Sequence, residues 1–338
     1  MKKLGKVLPI SALVLFLLLA AALTLTIGWR PIIGPKARPL TARTFESNPQ
    51  RVARGHYLAN AVSGCSYCHS EHDWSKPGQP IVPGREGVGE PVPFAGLPGR
   101  VIAPNLTPDV QTGTGAWTDD QLARAIREGI GHEGRALFPL MPYPRFRNMS
   151  DEDLASVIVY LRSLPPVRHE LPATEIIFPV RYLIRNAPEP LTQPVPQLDS
   201  SDRVAWGNYL VTIGGCEDCH TPQDAHGQEI AAMNFSGGSV LEDPGAKAAA
   251  ANLTPDATGI SYYDETMFLK AMRTGYVGAR KLSPVMPFAF YGNMTDDDLK
   301  AIFAYLRTVK PVKHRVDNSL PPTYCKLCQQ WHGAGNQN

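Results

Sequence analysis

The stretch Cys65-Ser66-Tyr67-Cys68-His69 decides how the rest of this sequence is interpreted, because it recurs as Cys216-Glu217-Asp218-Cys219-His220. In both copies, two residues separate the cysteines and a histidine directly follows the second cysteine. The chain has six cysteines and nine histidines in 338 residues, so chance is a poor explanation for two such matches. The two stretches therefore indicate two sites with the same chemistry.

C-x-x-C-H is the attachment pattern of a c-type haem, in which both thiols add to the haem vinyl groups and the histidine binds the iron. A redox dithiol or a structural zinc site also uses C-x-x-C pairs, but neither requires the adjoining histidine. We therefore predict two covalently bound haem c groups. Cys65, Cys68, Cys216 and Cys219 would attach them, and His69 and His220 would be iron ligands.

The sequence around the two motifs is duplicated. Residues 46–168 form the first copy and 202–313 the second, and matching segments follow in the same order. Arg54-Gly55-His56-Tyr57-Leu58 corresponds to Trp206-Gly207-Asn208-Tyr209-Leu210, and Asn105-Leu106-Thr107-Pro108-Asp109 corresponds to Asn252-Leu253-Thr254-Pro255-Asp256. Collinear matches of this kind imply duplication of a whole domain.

Helix signals fall at equivalent places in the two copies. Four residues are predicted N-caps of helices with one apolar face: Thr118, Ser150, Asp264 and Thr295. Gly55 and Gly207 precede the cysteine motifs within predicted helices, where a missing side chain lets another helix approach closely. Tyr160 and Tyr305, in the last helix of each copy, are the expected partners.

The first 45 residues differ from the rest of the chain. Residues 7–29 carry no charge, a length that fits a transmembrane signal-anchor better than a cleaved signal peptide. We expect a cytoplasmic tip, this anchor and a spacer in residues 1–45. From Glu46 onward, 26 Lys and Arg face 31 Asp and Glu, with no dense basic patch, so nucleic acid is an unfavourable partner.

Two further segments lie outside the copies. Residues 169–201 form a proline-rich linker, and residues 314–338 form a tail that contains Cys325 and Cys328. Gln329 stands where a third haem motif would need histidine, which favours a disulfide between these cysteines in an oxidising compartment. Because His332 lies four residues beyond Cys328, a metal site in the tail is the alternative to a disulfide.

Each iron also needs a ligand opposite its histidine, and that ligand should be duplicated. His56, His72 and His132 face Asn208, Gln223 and Gly278, so no histidine outside the motifs is expected to be duplicated. Methionine is duplicated twice, as Met141 with Met286 and as Met149 with Met294. The second pair directly precedes helix caps and is explained by packing. Met141 and Met286, each followed by proline, are therefore the predicted axial ligands.

These residues together resemble duplicated bacterial cytochromes c. Asn105-Leu106-Thr107-Pro108-Asp109, Met141-Pro142-Tyr143-Pro144 and Ser150-Asp151-Glu152-Asp153-Leu154 are similar to segments of the cytochrome c subunits of membrane-bound alcohol and aldehyde dehydrogenases. Those subunits usually carry three haem motifs, whereas this chain has two. The resemblance implies an all-α fold of two tandem cytochrome c domains, here preceded by one transmembrane helix. Because the family attaches haem outside the cytoplasm, it also implies haem domains in the periplasm, on a single-pass protein of the bacterial inner membrane.

The predicted function is electron transfer, with no catalytic residues. The partners would be redox proteins: a dehydrogenase or quinol-oxidising complex as donor, and an acceptor such as an oxidase. A dihaem peroxidase is the alternative, although it would need an iron with an open position, which the paired methionines disfavour. A membrane-held haem sensor is the third hypothesis.

Overall fold

A computed structural model of the chain describes residues 4–76, 78–94, 96–224, 227–243 and 246–335. Residues 1–3 of the predicted cytoplasmic tip and residues 336–338 of the predicted tail lie outside the described residues. Within the described part, helices supply the cores, and the same order of helices occurs twice. Residues 46–168 are called repeat 1 below, and residues 202–313 are called repeat 2.

The N-terminal helix α1 (Leu4–Thr26) covers the segment that was expected to cross a membrane, and a short helix α2 (Arg30–Ile33) follows it. The expectation is wrong. A bilayer crossing needs about 20 predominantly apolar residues in one helix. Among the described residues, no helix meets both the length and the apolarity that a crossing requires. The transmembrane helix in the predicted fold class and the single-pass placement in the inner membrane are therefore both incorrect.

Each repeat contributes five helices, of which the first and the last pack together. Those of repeat 1 are α3 (Pro49–Tyr57), α4 (Cys65–His69), α5 (Asp119–Glu128), α6 (Tyr143–Phe146) and α7 (Asp151–Ser163). The linker carries α8 (Val180–Leu183). Those of repeat 2 are α9 (Arg203–Ile213), α10 (Cys216–His220), α11 (Glu265–Thr274), α12 (Phe288–Tyr291) and α13 (Asp296–Leu306). A π-helical turn, Leu58–Val62, extends α3 towards the first cysteine motif.

The first and last helices of each repeat cross at a glycine, as predicted. A Cβ built on Gly55 would lie 1.9 Å from the carbonyl oxygen of Ser156 and 2.6 Å from Cβ of Tyr160. The equivalent atom on Gly207 would lie 2.0 Å from the carbonyl oxygen of Ala301. Only glycine permits this backbone contact, which fixes α3 on α7 and α9 on α13.

The four predicted N-caps are confirmed. Thr118 Oγ1 accepts a hydrogen bond from Gln121 N, and Ser150 Oγ accepts one from Asp153 N. Asp264 and Thr295 do the same for α11 and α13. Each cap satisfies a backbone N–H that has no partner within its helix.

Short strands interrupt the long loops. They form five two-stranded antiparallel sheets within the described residues: β1 (Glu90–Pro91) with β3 (Ile102–Ala103), β2 (Gly99–Arg100) with β4 (Glu175–Ile176), β5 (Val240–Asp243) with β6 (Ala246–Ala249), β7 (Tyr276–Val277) with β8 (Arg280–Lys281), and β9 (Thr323–Cys325) with β10 (Gln330–His332). The all-α expectation missed these strands, because two to four residues carry too little alternation to be recognised in a sequence.

The two repeats contact each other through a reciprocal pair of hydrogen bonds. Tyr57 Oη of repeat 1 donates to Asp298 Oδ2 at the start of α13, and Tyr209 Oη of repeat 2 donates to Asp153 Oδ2 at the start of α7. Each hydroxyl also accepts a backbone N–H from the cap residue of the same helix, at 3.1 Å and 3.2 Å. Because Tyr57 corresponds to Tyr209 and Asp153 to Asp298, the same contact is made in both directions.

A second layer supports each carboxylate. Arg54 binds Asp153 through Nε and Nη2 at 2.8 Å and 2.9 Å, and Trp206 Nε1 donates to Asp298 at 2.6 Å. The Arg54 guanidinium also lies 5.5 Å from the centre of the Trp206 ring. Together with the tyrosine hydroxyls, these groups form one continuous polar cluster between the start of α7 and the start of α13.

The spacer and the linker lie along repeat 1. In the spacer, Arg38 forms ion pairs with the buried carboxylates of Asp120 and Glu128 on α5. Further along, the linker returns over the start of α7, where the carbonyl of Val195 accepts a hydrogen bond from Asp151 N. Repeat 1 therefore carries both flanking segments.

Substitution of Gly55 or Gly207 by alanine should destabilise the protein strongly. The added methyl would overlap a backbone carbonyl, which cannot move without separating the two helices, so we expect a loss of about 1–3 kcal/mol or more. Thermal unfolding followed by far-UV circular dichroism measures it. Gly131→Ala is the matched control, because its Cβ would meet Leu137 Cδ2 at an ordinary 3.4 Å. Equal melting temperatures for all three variants would contradict this account.

Replacing Tyr57 or Tyr209 by phenylalanine removes one hydroxyl from the interface and leaves a carboxylate without one donor. Hydrogen bonds to charged groups contribute about 1.5–3 kcal/mol, so each variant should lose free energy of unfolding in that range. Urea unfolding gives the value. Tyr262→Phe, at a residue that is 56% exposed, is the control. If the interface variants unfold at the same urea concentration as the control, the hydroxyls do not hold the repeats together.

Candidate functional site

The two cysteine motifs each form one turn of helix. Gly64 and Gly215 precede α4 and α10 with φ angles of 67° and 66°, a left-handed conformation that favours glycine. The tight entry lets helical residues begin directly at Cys65 and Cys216. In a helix, positions i, i+3 and i+4 share one face, so both thiols and the histidine of each motif project to the same side.

A backbone carbonyl orients each motif histidine. His69 Nδ1 lies 2.8 Å from the carbonyl oxygen of Pro104, and His220 Nδ1 lies 2.8 Å from that of Ala251. With Nδ1 donating to the carbonyl, Nε2 is left to act as a ligand. A hydrogen bond of this kind was expected, but the sequence did not identify the carbonyls.

The repeated Asn-Leu-Thr-Pro-Asp segments position these carbonyls. Pro104 directly precedes Asn105, whose side-chain nitrogen donates to the carbonyl of Val167 at 2.8 Å. Its side-chain oxygen accepts from the backbone N–H of Thr107 at 2.9 Å. Asn252 makes the equivalent bonds in repeat 2. The duplicated asparagine is therefore a positioning residue, which acts on the histidine through the carbonyl beside it.

Burial sets the protonation of the motif side chains. Desolvation raises the pKa of Cys65 and of Cys216 to about 12. It lowers the pKa of His69 and of His220, although the carbonyl hydrogen bond acts in the opposite direction. Reactive dithiols instead have a thiol pKa lowered to roughly 3.5–7.5. The cysteines thus do not fit a redox dithiol, whereas a neutral imidazole with a free Nε2 suits metal ligation.

A cavity of about 800 Å³ opens beside the first motif. Its wall includes Cys65, Cys68, His69 and Met141, and much of the remaining wall is apolar, with Trp117, Leu122 and Ile126 among its residues. This volume lies within the range of roughly 300–1,000 Å³ that cofactor sites occupy. The thiols, the imidazole and the apolar wall fit a haem. The cavity also reaches residues of repeat 2 at the interface: Gly214, Gly215, Asp218, Cys219, Pro287, Phe290 and Tyr291.

Both duplicated methionines of repeat 1 line this cavity, and they differ in burial. Met149 is 1% exposed and belongs to the hydrophobic core together with Leu154, in line with its expected packing role. Met141 is only partly buried and packs at the edge of the core. Met141 and Met286 occupy the same turn in the two repeats, since each accepts a hydrogen bond from the backbone N–H two residues later. Met141 and Met286 remain the proposed axial ligands.

The expectation that no histidine outside the motifs is duplicated is wrong. His169 and His314 follow the matching segments Pro166-Val167-Arg168 and Pro311-Val312-Lys313. In the structure, both imidazole rings contact a backbone carbonyl through Nδ1. His169 Nδ1 lies 3.2 Å from the carbonyl of Val88, and His314 Nδ1 lies 3.0 Å from that of Ser236. His314 Nε2 lies 3.3 Å from Cys325 Sγ, so this ring nitrogen contacts a residue of the tail.

Sequence reasoning also missed an arginine that joins the two motif regions. Arg145 of repeat 1 forms ion pairs with Glu217 and Asp218, the residues between the two cysteines of repeat 2, and with Glu229. The sequence contained a signal for this contact, because repeat 1 has the uncharged Ser66 and Tyr67 at the corresponding positions. Tyr291 adds a hydrogen bond to the carbonyl of Gly214 at 2.7 Å. Residues of both repeats therefore surround the second motif.

Comparison with known families identifies the first repeat. Residues 52–165, which contain the first cysteine motif and Met141, match the family model described as Cytochrome c. Over these residues the chain is similar to cytochrome c domains. The match confirms the prediction of covalent haem c, but not the predicted number of haems. The predicted resemblance to cytochrome c subunits is confirmed by individual relatives.

Three relatives illustrate the similarity. One nicotinate dehydrogenase subunit, from Pseudomonas putida, is 29% identical over 85% of this chain and 23% of its own length. The gluconate 2-dehydrogenase cytochrome c subunit of Pantoea cypripedii is 31% identical over 78% of this chain and 60% of its own. A diheme cytochrome c-type protein of Cereibacter sphaeroides is 26% identical over 75% of this chain and 84% of its own.

The chain thus spans about a quarter of the first relative and 60% of the second. Relatives of this kind are named as cytochrome subunits of dehydrogenases, for example of fructose dehydrogenase in Gluconobacter japonicus. Their names agree with the predicted class, an electron-transfer subunit rather than an enzyme. The matches of these relatives extend well beyond residues 52–165, over at least three quarters of this chain.

Replacing Met141 by leucine tests its proposed role as an iron ligand in repeat 1. Leucine keeps the apolar volume and removes the sulfur, so the ferric protein should lose sulfur ligation at one haem. The reduction potential of that haem should fall by a substantial part of the roughly 0.8 V range that axial ligands control. Magnetic circular dichroism and a redox titration measure both effects.

Met149→Leu is the matched control, because it makes the same change at the other methionine on the cavity wall. It should leave both measurements as they are in the unmodified protein. If Met149→Leu loses the sulfur signal and Met141→Leu keeps it, the two methionines have been assigned the wrong way round.

Proposed function

We propose that this chain is a dihaem electron-transfer protein, which relays electrons between a dehydrogenase or quinol-oxidising complex and a downstream acceptor. The observation that carries the proposal is the duplicated motif helix, with its histidine held by a backbone carbonyl in each repeat. In this proposal repeat 2 is a second cytochrome c domain. Its helices follow the order of the first, and its asparagine, caps and helix-crossing glycine make the same contacts.

Each side chain then has a defined task. Cys65 and Cys68 would attach one haem through thioether bonds, and Cys216 and Cys219 would attach the other. His69 and Met141 would bind the first iron, and His220 and Met286 the second. When bound, each haem would supply an iron that accepts and releases one electron, and ligation by methionine together with histidine would raise its potential.

The surroundings favour electron transfer over catalysis. Two protein ligands on each iron leave no coordination position for a substrate. The wall of the first cavity is largely apolar, which favours burial of a haem ring there. The residues of this chain would therefore hold, orient and insulate the two centres without transforming a bound molecule.

The interface supports exchange between the two centres. Arg145 ties repeat 1 to both acidic residues inside the second motif, and the cavity of the first motif extends to Cys219. Tyr291, which is hydrogen-bonded beside that motif, belongs to the same wall. Because residues of both motifs line one cavity, the two haems would lie close enough for electrons to pass between them within one chain.

The names of the relatives support a dehydrogenase as the electron donor. Several are cytochrome subunits of enzymes that oxidise an alcohol, gluconate or fructose. Each of those names describes that protein, and the donor of this chain is proposed only as a dehydrogenase. Electrons received from it would leave through the second haem or the first to an acceptor of higher potential.

The proposal predicts two haems per chain and no reaction with exogenous ligands. Mass spectrometry of the natively matured protein should show the polypeptide plus two haem groups, and reductive titration should consume two electrons per chain. The double variant Cys65→Ser, Cys68→Ser should retain one haem. Carbon monoxide should not bind the ferrous protein at neutral pH, and hydrogen peroxide should not be turned over.

The alternatives give different results in the same experiments. Peroxide turnover with one haem reacting first would indicate a dihaem peroxidase, and carbon monoxide binding would indicate an open iron. A mass increase of a single haem, or of none, would exclude a two-centre relay.

A further inference from the structure

Four side chains from the C-terminal part of the chain converge on one point, away from the haem motifs. They are His314, Cys325, Cys328 and His332, and their ligand atoms all lie within 4.8 Å of one another. His314 is 1% exposed and Cys328 is fully buried. The disulfide predicted between Cys325 and Cys328 is not formed, because both cysteines are free.

The fold brings these residues together from two directions. His314 lies beyond the end of α13, where its backbone N–H donates to Thr258 Oγ1 and its carbonyl accepts from Asn252. The other three residues lie on the hairpin of β9 and β10, with Cys325 paired to Gln330. Asn318, before the hairpin, exchanges two hydrogen bonds with the backbone of Ala249 on β6. The hairpin is thereby held against His314.

The polar atoms of the cluster are arranged as metal ligands would be. His314 Nδ1 is 3.0 Å from the carbonyl oxygen of Ser236, so Nε2 is directed at Cys325 Sγ, 3.3 Å away. A carbonyl on one ring nitrogen is the usual support for a histidine whose other nitrogen binds a metal. His332 Nε2 is buried and has no hydrogen-bond partner among the described atoms. Such an atom costs free energy unless something binds it.

We propose that His314, Cys325, Cys328 and His332 form a tetrahedral zinc site. Two thiolates and two imidazoles are a common ligand set for structural Zn²⁺, at about 2.3 Å for sulfur and 2.0–2.1 Å for nitrogen. A tetrahedron with these bond lengths places its ligand atoms roughly 3.3–3.8 Å apart, within the spacing of this cluster. Binding displaces one proton from each thiol into solvent, and the oxidation state of the metal does not change. All four positions are protein ligands, so the site is structural.

Repeat 1 provides an internal comparison. His169 corresponds to His314 and makes the same contact to a backbone carbonyl, that of Val88. The next cysteine after His169 is Cys216, in the motif of repeat 2, so no cysteine hairpin follows this histidine. The duplicated histidine therefore has a shared role in the loop and an additional role, as a metal ligand, in repeat 2 alone.

The position of the site suggests what the metal stabilises. Ser236, whose carbonyl holds His314, is followed by Gly237, and Gly237 N donates to the carbonyl of His220 at 2.7 Å. The zinc site would thus tie the tail to the loop behind the second motif histidine. It does not depend on the proposed electron-transfer function, because its ligands are separate from both cysteine motifs.

Zinc content and geometry test the proposal on the full-length, haem-matured protein. Purified without added metal or chelator, it should contain one zinc per polypeptide, with protein counted by amino-acid analysis so that the number of haems does not enter. Zinc K-edge X-ray absorption should give two sulfur and two nitrogen neighbours at the distances above. After removal of the metal with a chelator, zinc sulfate alone should restore one equivalent.

Variants separate the ligands from their neighbours. Cys328→Ser and His332→Ala should each reduce bound zinc at least tenfold, whereas His169→Ala, the matched control, should leave it unchanged. If a variant does not fold, the X-ray absorption of the unmodified protein still decides. A Cys325–Cys328 disulfide with no zinc, two free thiols with no zinc, or a full equivalent of a metal other than zinc and haem iron would each overturn the proposal. Loss of haem would not, since the two counts are independent.

Discussion

The contact of backbone against backbone at Gly55 and Gly207 is the constraint on which the rest of the structure depends. At each glycine the first helix of a repeat lies directly on the carbonyl of a residue in the last helix. Nothing larger than hydrogen fits between them. This crossing fixes the end of α3 and of α9, and the cysteine motifs begin only a few residues later. The attachment residues are therefore placed by the helix crossing of each repeat.

The loops complete what the helices begin. A helix can put two thiols and an imidazole on one face, but it cannot choose how the imidazole ring is rotated. That choice belongs to Pro104 and Ala251, whose carbonyls are held by the asparagines that follow them. The long segments between the motif and the third helix of each repeat are thus part of the site, although they carry little regular structure. Their short strands keep these loops in place.

The sequence predicted the parts of the molecule whose cause is local. The motif spacing, the four N-caps and the glycine crossings each depend on residues close together in the chain or on a residue type with one physical explanation. The duplicated methionines are a sequence prediction of the same kind, and their role remains a proposal. Repetition strengthened these predictions, because a feature found twice at equivalent positions has a common reason.

The parts that could not be predicted arise from residues far apart in the chain. Arg145 meets acidic residues more than seventy positions away, and the carbonyls that orient the histidines have no side-chain identity to recognise. His314 was overlooked because its counterpart, His169, lies just beyond the end of repeat 1. The membrane-spanning interpretation of the first helix failed for a different reason. That interpretation rested on the absence of charge in residues 7–29. A bilayer crossing requires one helix that is both long enough and apolar enough, and no described helix meets both requirements.

The reciprocal contacts of Tyr57 and Tyr209 have a consequence for how the molecule assembles. A surface in which residue i meets j and j meets i is the interface of a twofold-symmetric homodimer, and here both halves belong to one polypeptide. The tether of residues 169–201 keeps one half at an effective concentration on the order of millimolar around the other. Dilution therefore cannot separate the pair. A cell that makes only a few copies still obtains the complete two-part assembly from every chain.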